Sequence, residues 1–472
     1  MPEIILENFF LSEAQDSPLV SSTNTLTKMV GCNAHRRLGV VGTSEEAVQI
    51  NDTLTEVKAI VPVDEEHVYI FSSNNIIKHN VFTSTFTPIH TIVPVGTINA
   101  EYFDGYVYYS TGNKLGRFRA ITDDMIDDSF GTFNNNVPSE QKPMFVLDQN
   151  LYIGDQDLVA LVDSFGAFTP DALDVDKDFK VTALGNIRNE LVIGTAPKNN
   201  WSYCKVFRWN TWSASFTNES IVESDRINNF YSDDGKLYFI AGGRNLKVYQ
   251  YSEPFSPEVL RIPSNTTGWF QQESEGIILP SAQAIFNNRA YFGLSNLING
   301  GDYDSGIYTA TSAKRGFPLM VSMDYIPTPG NFFKTQITAM GALRDNLFFA
   351  WHDVTTGDWG IDKITLGKDP RVNDAFIETN WISLDRLNNK DFSVYITYAN
   401  PYVPGMDVSL VIDRNYSDNN ESFYEVRHDA DRKYFYTQAD VAGAHSVKFR
   451  VNIQNANSIV PLQIEKIIIK FI

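Results

Sequence analysis

Cysteine is nearly absent: Cys32 and Cys204 are the only two in 472 residues. That excludes a disulfide scaffold and a cysteine-based zinc module. Long apolar runs are missing as well. No stretch approaches the roughly 18 apolar residues that a membrane-spanning helix needs. Positive charge is short, with 38 Lys and Arg against 57 Asp and Glu, a net charge of −19. Such a chain does not bind nucleic acid or an anionic membrane through its overall field. The segment Met1–Leu11 has acids where a secretion signal carries bases, and Glu7 and Asn8 interrupt its apolar run. Retention in a cytoplasm is therefore expected, or assembly there into something that leaves without a signal.

What the chain has is aromatic and turn-forming residues. Phe and Tyr number 32 and 22, alongside 29 Gly and 20 Pro, a mix that favours strands and tight turns over long helices. A repeat runs through it. Short apolar strands recur as Val68–Phe71, Val107–Tyr109, Leu151–Gly154, Leu191–Gly194, Leu237–Ile240, Ala290–Gly293 and Leu347–Ala350. Each follows a turn of hairpin composition, such as Asp104-Gly105, Asp148-Gln149-Asn150 or Asn287-Asn288-Arg289. An apolar strand precedes each turn, and an alternating strand follows each copy, for example Leu158–Val162 or Gly360–Ile364. Ile89–Val93 and Val259–Ile262 have the pattern of a fourth strand. A four-stranded meander repeated every ~40–50 residues is the blade of a β-propeller, because one small sheet cannot bury both faces alone.

The expected fold class is all-β: a propeller of about seven blades followed by a C-terminal β-sandwich. The expected domains are an extended N-terminal arm over 1–37, the propeller over 38–380 and the sandwich over 381–472. Leu38–Thr43 is expected to pair with the last blade and close the ring. After Trp381 the strand spacing changes, and Phe392, Val394, Ile396 and Tyr398 share one face of the first of six alternating strands. The arm has six apolar residues, Ile4, Ile5, Leu6, Phe9, Phe10 and Leu11, with no core partner of their own. Burying them on a neighbour would release about 10 kcal/mol before ordering costs. They are the candidate assembly residues.

Catalytic chemistry was sought without success. The histidines are His35, His67, His79, His90, His352, His428 and His445, and none forms an H-x-H or i, i+4 pair. No G-x-S-x-G elbow or phosphate-cradling glycine loop occurs. Asp174, Asp176 and Asp178 alternate as Ca²⁺ ligands do, yet Phe179 and Gly185 stand where a calcium loop has Gly and Glu. Asp413–Asp418 falls short in the same way. Thr356-Gly357-Asp358-Trp359 reads as a hairpin tip. Trp201, Trp209 and Trp212 lie close in sequence, as a sugar-stacking platform would, but alternate aromatics in a blade are core positions. No catalytic residue, cofactor or metal is expected.

In layout the chain resembles virion structural proteins of tailed bacteriophages that join a β-propeller to a small β-sandwich. The likeness rests on the opening Phe9-Phe10-Leu11 through Asn33–Gly39, the junction Ile377–Leu384 with Lys390-Asp391-Phe392, and the ending Pro461–Ile469. It implies a non-enzymatic neck, nozzle or tail component, located in the virion, with other virion proteins as partners. A homo-oligomeric ring is implied, through which DNA passes without sequence-specific binding; a repelling acidic wall suits such a conduit. The competing expectation is a glycan-binding or glycan-cleaving propeller. A WD-repeat scaffold is disfavoured because its Gly-His and Trp-Asp signatures are missing.

Overall fold

A computed structural model describes residues 3–7 and 26–471, apart from 34–39, 94–95, 97, 244–245, 263–275, 297–304, 313–318, 330–334, 373–374, 380–381, 384–390, 400–405, 415–416, 430–432, 441–445 and 456–459. Every regular element among the described residues is a β-strand. Among the described residues no helix is long and apolar enough to cross a membrane.

Each of the recurring apolar segments is the second strand of an antiparallel meander. We letter the strands of a meander A, innermost, to D, outermost. Five blades occupy 57–91, 98–132, 144–174, 179–222 and 227–261. Their A–B turns are tight for a backbone reason. Asp104-Gly105, Asp148-Gln149 and Asp234-Gly235 all have positive φ at both central residues, as a type I′ turn requires. Strand B then runs between A and C and is buried on both faces; Val68–Phe71 is at most 1% exposed.

A sixth four-stranded blade combines Thr335–Leu343, Asn346–Asp353 and Trp359–Thr365 with Val48–Asn51 from the other end of the chain. We call it the closing blade. Between it and the fifth blade lies one more meander, Gln283–Phe286, Arg289–Asn296, Gly306–Ser312 and Leu319–Tyr325. We call this the bridging meander. It is not a free-standing blade: its outer strand also pairs with Leu26–Val30, which continues it into an eleven-stranded sheet. The count is therefore six free-standing blades rather than about seven. Apolar clusters fill successive interfaces right round. Tyr69 meets Phe118 and Phe71 meets Tyr109 between the first two blades, and Ile60, Ile70, Phe348 and Ile361 share the cluster where the ring closes.

Two expectations about the ends are corrected. Val41–Thr43 does not close the ring; it pairs with Gln463–Phe471, and Val48–Asn51 supplies the closing strand instead. A self-contained sandwich over 381–472 is not seen either. The eleven-stranded sheet runs from Leu319–Tyr325 through Leu26–Val30, Ala375–Thr379, Ser446–Asn455 and Met406–Arg414 to Ser417–Glu425. A seven-stranded sheet joins Gln463–Phe471, Asp391–Tyr398 and Tyr434–Asp440 to N-terminal strands. Both sheets contribute to one apolar cluster, with Ile396 and Ile467 from one and Leu410 and Val451 from the other. The physical reason is edge pairing: an unpaired strand edge is filled by whichever segment reaches it.

The ring seal carries a buried ion pair. Arg371 Nη1 lies 2.7 Å from Glu45 Oε1, with side chains 8% and 1% exposed. Glu45→Ala leaves a buried guanidinium without its counter-charge, which costs about 3–5 kcal/mol. A urea midpoint well below wild type checks this; the double change Glu45→Met with Arg371→Met should cost less than Glu45→Ala alone.

Candidate functional site

The inner strands begin with a recurring irregularity. Register slips by one residue at Lys58, Thr182, Asn228 and Thr338, near the start of four A strands. A bulge leaves its residue outside the ladder. At one end of the channel two of those freed carbonyls are used.

Gln141, on the connection between the second and third blades, reaches the Lys58 carbonyl directly and the Thr338 carbonyl through Ser281. Its Nε2 donates to the carbonyls of Lys58 (3.0 Å) and Ile98 (3.1 Å). Its Oε1 faces the Ser281 hydroxyl at 2.8 Å, and that hydroxyl also lies 2.8 Å from the Thr338 carbonyl. One amide thus ties the first and second blades to the bridging meander, and through Ser281 to the closing blade. The rest of the connection is anchored as firmly. Lys142 and Asp155 form a close ion pair buried to 6% and 0% side-chain exposure. Asn99 Nδ2 donates to the Lys142 carbonyl (2.8 Å) and Asn135 N to Asp155 (3.0 Å). Lys180 reaches Glu140 at 2.8 Å. Burial works against ionising Glu140, but the Lys180 ammonium and the Gln156 amide outweigh it and hold the carboxyl below its usual range. Residues 135–142 therefore form a partial cap over the A-strand starts of the first two blades and the bridging meander.

Below the cap lies a cavity of about 540 Å³, lined by residues of every A strand and reaching Asn288 and Arg289 at the A–B end. Glu101 is its one carboxylate among the described lining residues. Burial pushes the Glu101 carboxyl up to about 7, offset only partly by the Tyr102 amide, which donates at 3.2 Å. The buried Asn229 Oδ1 and Tyr231 hydroxyl also line it, and neither makes a hydrogen bond among the described residues. A lone raised carboxyl can hold or give up a proton. Glycoside cleavage needs a second carboxylate facing the first, and the described lining provides none.

The residues picked from sequence scatter over the molecule. Ile5 and Leu6 lie on strand Glu3–Glu7, paired with Gln463–Phe471. Leu6 is 1% exposed within the shared cluster, so it has the core partner it was expected to lack. Ile4 lies on the same strand; Phe9, Phe10 and Leu11 fall outside the described residues. Trp209 is core against Tyr152, Trp201 stacks on Tyr203 at 5.3 Å, and Trp212 is exposed. Trp201 sits on a B–C turn and Trp212 on a C–D turn, at opposite ends of the blade, so the three form no platform. Asp176 is held by Lys205 (2.9 Å) and by the amide of Asp178 (3.1 Å). Asp413 lies on a strand beside Lys448 at 3.4 Å. Among the described residues no cluster of three metal-ligating side chains occurs. His67 and His90 pair with Asp64 and Asp128, His428 with the Tyr398 hydroxyl; His79 and His352 stack on Phe86 and Trp359. His35 and His445 lie outside the described residues. Asp353 accepts from Gly357 and Thr355 at the hairpin tip expected there.

No protein-family model matches the sequence, and no curated protein does. Solved structures match at the level of the propeller. The computationally designed Ika8 protein aligns at 13% identity over 76% of this chain and all of its own, with a TM-score of 0.42. The β-propeller domain of Cps50 (Swd1) from Myceliophteria thermophila aligns at 12% over 68% of this chain and all of its own (TM-score 0.44). The N-terminal domain of Nup159 aligns at 9% over 75% of this chain and 99% of its own (TM-score 0.42). These are likenesses of fold.

Two outcomes are expected. Gln141→Ala removes the donor from the Lys58 bulge carbonyl and from the Ile98 carbonyl and should cost about 1–3 kcal/mol in chemical denaturation. Glu101 holds its proton more tightly folded, at about 7, than unfolded, near 4.5. The native state then binds more protons between those values, so this group makes stability fall as pH rises across that window. Glu101→Gln should remove that decline, seen as a flatter curve of melting temperature against pH between 4.5 and 7.

Proposed function

We propose that the chain is a non-enzymatic structural subunit of a tailed-phage particle, a neck, nozzle or tail component that acts through protein–protein contacts. The observation that carries this reading is the eleven-stranded sheet, which makes the propeller rim and the C-terminal strands one continuous hydrogen-bonded body. Such a body suits a part that must hold its shape under load. On this reading the bridging meander counts as a seventh blade, and the two C-terminal sheets are a sandwich locked onto the rim. The channel also fits: an enzyme propeller needs an accessible, equipped mouth, whereas here Gln141 lies across part of one end. Any DNA in transit passes through the hole of a homo-oligomeric ring, not through the propeller, and the excess of carboxylates keeps that wall from gripping it. No cofactor and no membrane enter this role, and the protein works in the virion after assembly in the host cytoplasm.

Negative-stain images and mass measurement of the purified chain test the reading. Closed rings of several copies, with no turnover of sugar polymers or phosphoesters, are expected. A strict monomer that cleaves a glycan, with the rate lost in Glu101→Gln, would favour the glycan alternative and sink this one.

A further inference from the structure

Large exposed apolar side chains are normally scattered. Here they are not. Phe82, Phe165, Trp212 and Phe255 are 62%, 94%, 86% and 74% exposed. Each sits between strands C and D of a different blade: the first, third, fourth and fifth. The C–D turn of the second blade carries Ile121, 52% exposed. In an antiparallel meander the A–B and C–D turns share one end. Since each blade runs the same way out from the axis, all five side chains stand on a single face, in an arc over five consecutive blades. Ile285, 77% exposed at the end of the innermost strand Gln283–Phe286, adds an apolar group near the axis on that same face. It is the face away from the Gln141 cap.

The background of this face is acidic. Asp64, Glu65, Glu66, Asp104, Asp148, Asp234 and Asp345 lie in its A–B turns, against Arg188 and Arg344, with Arg289 next to the bridging meander's turn. Some of the charge is internally answered: Arg344 reaches Glu65 and covers the Phe82 ring, 5.7 Å from its centroid. Apolar knobs on an acidic field complement a basic surface with apolar pockets. They do not complement the same face of another copy, nor DNA, nor an anionic membrane, because like charges would meet.

We infer that the A–B and C–D end of the propeller is the docking face for a partner protein that presents a basic surface with apolar pockets. The inference rests on the reading that this chain works through protein contacts, and it names the surface and the partner's chemistry. Aromatic anchors in a desolvated contact carry most of an interface's affinity. Phe165, Trp212 and Phe255, on neighbouring blades, are the expected anchors.

The test uses the full chain and three fluorescently labelled peptides of equal apolar content, one lysine-rich, one glutamate-rich and one neutral. Fluorescence anisotropy should give the lysine-rich peptide at least about tenfold tighter binding than the glutamate-rich one, weakening with salt. The triple variant Phe165→Ser, Trp212→Ser, Phe255→Ser should lose at least about tenfold of that affinity, with melting temperature and oligomeric state unchanged. Equal binding of the lysine- and glutamate-rich peptides, or full affinity in the triple variant, overturns the inference. If the triple variant instead loses self-association, the occupant is a second copy, which also overturns it. A glycan-cleaving monomer would sink the structural role while leaving the peptide preference readable, so the two failures are distinct.

Discussion

A ring of blades is only as strong as its seam. Here the seam is the pairing of Val48–Asn51 with Trp359–Thr365, backed by the buried Glu45–Arg371 ion pair. The seam joins the two ends of the propeller, so the loop-closure entropy of some 300 intervening residues is met at one place. Everything inward depends on it. The A strands of the first two blades can present the Lys58 and Ile98 carbonyls to one amide only while the ring holds them at a fixed radius.

The same logic of edges explains why propeller and C-terminal strands do not separate. The outer strand of the bridging meander would be an open edge beside the apolar Met320 and Met323. Leu26–Val30 fills it: Val30 pairs with Met323 and Gly31 donates to the Met323 carbonyl at 2.9 Å. That filler strand is itself paired with Ala375–Thr379, which pairs with Ser446–Asn455. Gly31 sits at φ +63 with Val372 and Ala375 against it, a junction where a side chain would strain the backbone and clash.

Much of this was legible in the sequence, for a local reason. The recurring B strands are apolar throughout because both faces are buried, and their Asp-Gly and Asn-Asn turns announce positive φ. The rest was hidden because it depends on distant partners. Val48–Asn51 is a half-polar, outward edge with no mark of its role. Leu6 looked homeless because the strand it pairs with, at Ile467, lies about 460 residues away. Gln141 is one amide in an irregular connection; nothing in its neighbours shows that two inner strands leave carbonyls for it. The strands shared between the C-terminal sheets and the N-terminal and propeller strands were hidden for the related reason that strand alternation reports burial on one face, not which segments share a sheet.

The central claim is that the propeller and the C-terminal strands form one cooperative body. Differential scanning calorimetry tests it most directly. A single transition, with calorimetric and van't Hoff enthalpies in agreement, is the result expected of a continuous sheet and a shared core. Two resolved transitions, one of them assignable to residues 381–472, would contradict it.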